Sequence, residues 1–549
     1  MLATLALAVL TAQGQTSRIG INPPKLVVLI SIDQFRGDYV ERYAPYFLPA
    51  KSGGKLGGFR YLMDTGAHFR NAIHNHIPTA TGPGHATLMS GSEPAYDGIV
   101  SNEWFDRATG KTVYCVDDKT VQTVGGTSGP MSPRNLLVTT VGDELKMATN
   151  GRSKVVGVAI KDRAAILMAG HAADDVIWLD YGTGKWVTST WYAPSGQLPA
   201  WVQSLDDEKN IDKLAGKVWE PLLPDDDYAI TRRAPAEKPS ENGKPFSHRM
   251  QATPGPKLYG SFPNSSFGND ITFQAAERAV DADKLGQHDV PDVLVINLSS
   301  NDYVGHQYGP NSPEVMDMTV RTDRQISEFI NHLQAAVPGG MDNVAMVVTA
   351  DHGVVPIPKE ANDVYKTGAM AGVGDEAVAA VKKALAAKFG EGDWVLGDGI
   401  YEQNLYLNRD LAAKKDLHMS DLEDAAADAA ETVPGIFAAF TRTEIMHNEI
   451  PNYPWKDRVL NGFNRKLGGD VLVLEGPGNL GGGGTGTGHG TVWDYDAHAP
   501  IFVHARGIKP GNYLKRVYTS GIAPTLCRLL GIEVPTGNVG VPLVDSLEK

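Results

Sequence analysis

Four apolar runs set the framework of the chain: 25–33 (KLVVLISID), 155–163 (VVGVAIKDR), 292–298 (DVLVINL) and 344–350 (VAMVVTA). Each is apolar on both faces, as strands buried in a parallel sheet are, whereas a half-exposed strand alternates. Helical periodicity fills the intervals. Ser312-Pro313 supplies an N-cap and a proline at the first helical position. Ile326, Phe329, Ile330, Leu333 and Val337 then form one stripe, and Gly339-Gly340 ends it. This alternation predicts an α/β fold: a doubly wound, mostly parallel central sheet flanked by helices, with inserted cap and subdomain segments.

The core is expected in three pieces, 24–169, 289–357 and 468–549. Between them, 170–288 loosens into an insertion or cap region. It holds a hairpin (176–179 with 185–188) and a Pro-, Asp- and Lys-rich stretch, 221–256, expected over the sheet's edge as part of a lid. Residues 358–467 suggest an inserted α+β subdomain, with helices over 376–389 and 420–432 and a strand over 404–407. The run 469–474 is expected to return to the central sheet, followed by a strand over 499–503 and a short helix over 522–530. There is no internal repeat.

A length of 549 residues exceeds one small core. The net charge of −14 argues against nucleic acid as a partner, though not against a small phosphorylated substrate met by bound cations. Cys115 and Cys527 form no C-x-x-C pair and read as two free thiols. Residues 1–14 are apolar and end in small residues, like a secretory signal peptide lacking its positive n-region, which predicts a periplasmic or secreted protein. No segment is long and apolar enough to span a bilayer. A monomer is favoured.

The chemistry gathers at the strand ends: Asp33, the Lys161/Arg163 pair, Asp302 and Asp351-His352. In an open parallel sheet these share one edge. Three carboxylates there require cations. His306, one helical turn after Asp302, His352 and His489 complete a donor set suited to Zn²⁺. Six ligands divide into two sites of three, and paired metals are a device for phosphoryl transfer. Residues 78–89 (PTATGPGHATLM) read as an approach, a sharp Gly-Pro-Gly turn and then a helix, with Thr81 at the junction. A helix N-terminus suits an anion, and metal coordination activates a hydroxyl nucleophile. If 155–163 stays extended, Lys161 and Arg163 share one side as an anion site, with Asp162 opposite. His74, His76, Thr79, Thr87 and Ser90 are rival groups with poorer placement. His85 and His498 read as supporting residues. The glycines of 481–490 match a dinucleotide fingerprint only weakly, since no helix follows, and read as a mobile loop delivering His489.

Ser31-Ile32-Asp33, Thr81 to His85, Asn297 to His306, Thr349 to Gly353, Thr487 to Gly490 and the Ala523-Pro524-Thr525 region occur in family order, and the chain resembles the alkaline phosphatase superfamily, in the branch of the nucleotide pyrophosphatases/phosphodiesterases. The resemblance implies two zinc ions, one on Asp302, His306 and His489, the other on Asp33, Asp351 and His352 beside Thr81. Asn102, Lys161 and Arg163 match the phosphate site of bacterial Thr-nucleophile alkaline phosphatases. This implies phosphomonoester hydrolysis through a phosphothreonine intermediate. The family's Asp before Ile-Ala-Pro-Thr is Gly521 here, and no third metal site is inferred. The alternatives are a phosphodiesterase or nucleotide pyrophosphatase with the same metals, or a catalytically dead phosphate- or metal-binding protein.

Overall fold

Strand Leu26–Ile32 is buried along its whole length and pairs in parallel with Asp292–Leu298 on one side and Val344–Thr349 on the other. Each fully buried Val, Leu or Ile side chain contributes about 1.5–3 kcal/mol, so these runs anchor the domain. The computed structural model describes residues 23–238, 240, 243–543 and 546–547. The expected signal segment, 1–14, lies outside them.

Among the described residues the main sheet has 11 strands in the order Gly511–Tyr513, Ala67–Ile73, His498–His504, Val344–Thr349, Leu26–Ile32, Asp292–Leu298, Val155–Ala159, Asp175–Asp180, Lys185–Ser189 and Thr123–Val124, with Val517–Tyr518 also on Ala67–Ile73. The five strands from Val344–Thr349 to Asp175–Asp180 are parallel. Helices cover both faces in two large apolar clusters. In register, Ser31 faces Asn297 and Thr349, and Asn297 faces Ala159. The segments leaving these four strands therefore emerge at one edge.

Two expected boundaries shift. The hairpin within 170–288 forms, but Asp175–Asp180 extends the central sheet in parallel with Val155–Ala159, and helix Phe267–Ala282 packs into the same core. Much of that region is framework, because its apolar residues complete the sheet's outer faces. The stretch 221–256 is moored to helix Pro313–Ala336: Tyr228 OH donates to Asp317 at 2.7 Å, as does the neighbouring Trp219 Nε1. Strand Val471–Glu475 does not return to the central sheet. It pairs with Asn404–Leu407 and Ile436–Thr441 in a separate four-stranded antiparallel sheet. The chain rejoins the main sheet at His498–His504. An apolar strand run does not say which of two sheets it joins. Cys115 and Cys527 are free and buried.

Candidate active site

Helix Thr81–Ser90 begins at Thr81 itself, after Ala80 in extended conformation. The Gly-Pro-Gly sequence is therefore the helix's first turn and not a turn ahead of it. Proline is tolerated there because its missing N–H has no helical partner. Gly84 is required by contact: a Cβ would stand 2.2 Å from the Asp351 carbonyl oxygen. That close approach presses the helix start against the carboxylate cluster.

The side chain of Thr81 is buried, and three groups converge on its Oγ1: Arg163 Nη2 at 3.3 Å, Lys161 Nζ at 3.5 Å and His352 Nε2 at 3.5 Å. The two cations do not arrive by strand alternation. The strand ends at Ala159, Lys161 is the N-cap, and Asp162 starts helix Asp162–Ala169 with Arg163 second. The bend at the helix start brings both cations to Thr81. Tyr114 OH braces this turn, donating to Asp162 Oδ1 at 2.5 Å and accepting from Arg163 Nη1 at 3.1 Å. Asn102 Oδ1 accepts the Gly82 N–H at 2.7 Å, beside Thr81.

Asp33, Asp302 and Asp351 are buried together. Lys161 Nζ bridges two of them, 2.6 Å from Asp302 Oδ2 and 3.1 Å from Asp33 Oδ2. Burial alone would discharge this lysine, but the two carboxylates outweigh it and hold its affinity for the proton above the ordinary value. Burial and the nearby Asp33 charge push the Asp351 carboxyl well above the usual range. Burial acts the same way on Asp302, but His306 and Lys161 overcome it and lower its pKa.

The histidines share one arrangement. His306 Nδ1 meets the Thr487 carbonyl at 2.7 Å, His489 Nδ1 the Thr79 carbonyl at 2.8 Å, and His352 Nδ1 the Gly353 carbonyl at 2.8 Å. A carbonyl only accepts, so each Nδ1 carries a proton; a neutral ring then presents a lone pair at Nε2, whereas at His306 the Asp302 carboxylate outweighs burial and raises the pKa. His306 Nε2 is 3.1 Å from Asp302, and His352 Nε2 is 3.3 Å from Asp351 and 3.6 Å from Asp33. Burial keeps His352 neutral, at about 4, and together with the neighbouring His352 and His306 keeps His489 neutral too. The His352 lone pair thus faces Asp33 Oδ1 and Asp351 Oδ2, both buried without a hydrogen-bond partner. Acceptors facing acceptors in a dry site are satisfied by cations. The donor set fits divalent metal ions.

Of the nine residues predicted beside Thr81, Arg163, Lys161 and His352 reach its Oγ1, Asn102 bonds the adjacent Gly82 N–H, and the other five join through Lys161, His352 and Asp302. Ligand atoms of Asp302, His306 and His489, one of the two trios that the family resemblance implies, lie within 4.8 Å of one another, whereas Asp33, Asp351 and His352 do not form such a group. The other carboxylates overlap in two sets, Asp33 with Asp302 and His352, and Asp33 with His85 and Asp351. His85 is nevertheless occupied: Nδ1 donates to the Thr81 carbonyl at 2.7 Å and Nε2 accepts from Asn297 Nδ2 at 2.9 Å. The rival groups are committed elsewhere. Thr79 Oγ1 donates to Thr491 O, Ser90 Oγ to Ala86 O, Thr87 Oγ1 and Glu93 meet His76, and both nitrogens of His74 are bonded. His498 bonds to Arg70 O, outside the site.

Two site residues had no signal in the sequence. Gln34, at φ 61°, donates from its backbone N to Asp351 Oδ1 at 3.1 Å and from Nε2 to Asp302 Oδ1 at 2.7 Å. Glu402, from the inserted subdomain, accepts from Asn102 Nδ2 at 2.7 Å.

The family model for type I phosphodiesterase / nucleotide pyrophosphatase matches residues 27–461. Alkaline phosphatase PafA of Elizabethkingia meningoseptica is 37% identical over 96% of this chain and 95% of its own length. Its wild-type crystal structure superposes with a TM-score of 0.86 at 34% identity, covering 96% of this chain and 100% of that one. A protein of Myroides odoratus named calcium-transporting ATPase is 35% identical over 96% of each chain. Alkaline phosphatase PhoV of Synechococcus elongatus is 36% identical over 96% of this chain and 93% of its own.

Proposed function

The chain belongs to the type I phosphodiesterase / nucleotide pyrophosphatase family, and from that premise we propose that it is an alkaline phosphatase that hydrolyses phosphate monoesters through a phosphothreonine at Thr81. The observation that carries this is the pair of cations at one hydroxyl: Arg163 at 3.3 Å and Lys161 at 3.5 Å from Thr81 Oγ1. A monoester is a dianion. Its third charged oxygen needs the contact that a diester fills with a second organic group.

Asp302, His306 and His489 would hold one zinc ion, and Asp33, Asp351 and His352 the other. Bound there, the ions supply the positive charge that lowers the pKa of Thr81 and stabilises the leaving oxygen. The rest falls to the chain. Thr81 attacks phosphorus in line and takes the phosphoryl group as the alcohol leaves, and water then releases phosphate. Arg163, Lys161 and the Asn102 amide orient the non-bridging oxygens, where charge shifts most in the transition state. Small phosphorylated compounds are the substrates. The apolar start, 1–14, supports export to the periplasm or outside the cell.

Chemistry at this site extends to terminal phosphates of nucleotides, also dianionic, which accommodates the relative named as an ATPase. No described helix is long and apolar enough to cross a membrane. Rates on an aryl phosphomonoester and an aryl methyl phosphodiester test the reading. The monoester is expected to react far faster, with both activities lost in Thr81→Ala. A strong diester preference that persists in Lys161→Ala would overturn it.

A further inference from the structure

The inserted subdomain sends one hairpin into the site. Strands Val395–Tyr401 and Asn404–Leu407 are joined by Glu402 and Gln403 alone, with Tyr401 paired to Asn404. A two-residue turn with positive φ at both positions is the habitual place of Asn and Gly. Here φ is 40° at Glu402 and 72° at Gln403. Neither side chain favours that backbone, so both are held there at a conformational cost.

The Glu402 carboxylate makes contacts that Asn or Gly would not. Oε1 accepts from Asn102 Nδ2 at 2.7 Å, and Oε2 accepts from the Asn102 backbone N at 3.0 Å and from Ser101 Oγ at 2.8 Å. At its other end the Asn102 carboxamide is fixed by the Gly82 N–H, 2.7 Å from Oδ1. Both of its heavy atoms are thereby engaged, and one Nδ2 hydrogen remains. Accepting one N–H of an amide into a carboxylate also polarises the other.

We infer that Glu402 is a positioning residue for catalysis: it locks Asn102 so that the remaining amide hydrogen meets a phosphoryl oxygen, and it makes the inserted subdomain part of the active site. The inference rests on the reading of Asn102 as a phosphate contact. If Glu402 served only the hairpin, glycine would serve it as well or better, because glycine adopts positive φ freely. The two roles therefore predict opposite responses to one substitution.

Glu402→Gly is expected to shift Tm little, since relief of the positive φ offsets part of the lost hydrogen bonds to Asn102 and Ser101, while lowering kcat/KM for an aryl phosphomonoester tenfold or more and raising the inhibition constant for inorganic phosphate by a similar factor. In an Asn102→Ala background the same substitution is expected to change kcat/KM by less than threefold, since the group it positions is gone. Losses that multiply in the double variant, or full activity in Glu402→Gly, would overturn the inference. Should Glu402→Gly fail to fold, Glu402→Gln, which keeps the size but loses an acceptor, carries the same comparison. Wild-type kinetics in Asn102→Ala alone would instead remove the phosphate-contact reading beneath it, so the two failures are told apart.

Discussion

Lys161 Nζ lies 2.6 Å from Asp302 Oδ2, with both side chains buried. One cation thus touches a carboxylate of the metal-type cluster while standing 3.5 Å from the Thr81 hydroxyl. Lys161 is the hinge between the charge that would hold metal and the charge that would hold phosphate. Its position on the bend after strand Val155–Ala159 makes that double duty possible.

Lys161→Ala is therefore expected to discriminate between substrates. Loss of a charged contact that strengthens in the transition state should lower kcat/KM for an aryl phosphomonoester on the order of a hundredfold. The corresponding methyl diester, lacking the third charged oxygen, should lose about fivefold or less. Steady-state kinetics on both substrates checks this, and equal losses would assign Lys161 a general structural role.

Metal removal has a thermodynamic signature as well as a kinetic one. Without cations, Asp33 and Asp351 repel one another, and the Asp351 carboxyl is driven toward its neutral form. Asp351→Asn is then expected to stabilise the chelated protein, by about 1–3 kcal/mol, while destroying activity with zinc present. Thermal unfolding with and without chelator reads the first effect, and phosphate release reads the second. A chelated Asp351→Asn protein that melts below chelated wild type would contradict it.

Much of this was legible in the sequence because the chemistry sits at the ends of apolar runs. Asp33, Asp302 and Asp351 follow buried parallel strands, and register alone carries such residues to one edge. The pair Asp302 and His306 was readable from helical spacing. What stayed hidden depended on tertiary choice. The apolar run before Lys161 and Arg163 predicts a strand end, yet a helix starts at Asp162. The apolar pattern of Val471–Glu475 predicts a strand but not its sheet, because burial does not name its partner. Glu402 lies 300 residues from Asn102, in the inserted segment, and its turn carries none of the residues that announce one.

The glycine at position 84 offers a steric test. A Cβ there would meet Asp351 O at 2.2 Å and Asp351 C at 2.9 Å, backbone atoms that no side-chain rotation can clear. Gly84→Ala must push the start of helix Thr81–Ser90 away from the carboxylates. The expected cost is about 1–3 kcal/mol of stability, with a loss in kcat much larger than any change in KM, since Thr81 itself moves. Gly110→Ala is a control, because its Cβ would meet nothing within 4 Å, although its φ of +67° adds some strain. Equal activity in the two variants would show that the approach is not required.

The segment leading to Asn102 carries a second titrating device, independent of the metal-type cluster. Asp97 ends the short helix Pro94–Asp97 and is fully buried; its Oδ1 accepts the Ile99 N–H at 2.8 Å, and its Oδ2 has no partner. Burial pushes its carboxyl up to about 8, against one opposing hydrogen bond from Ile99 and with some help from the Glu93 charge. The folded state therefore holds a proton that the unfolded chain has released. With a raised folded pKa, Asp97 contributes stability in full below about pH 4 and loses it as pH rises through about 8. Across that window the loss is on the order of a few kcal/mol. Asp97→Asn keeps the shape and the Ile99 contact but cannot ionise. Its Tm should therefore fall less than that of wild type between pH 6 and 9, with the variant the more stable protein at the alkaline end. Parallel Tm curves across that range would mean that Asp97 is charged in the folded protein and that a cation or water reaches Oδ2.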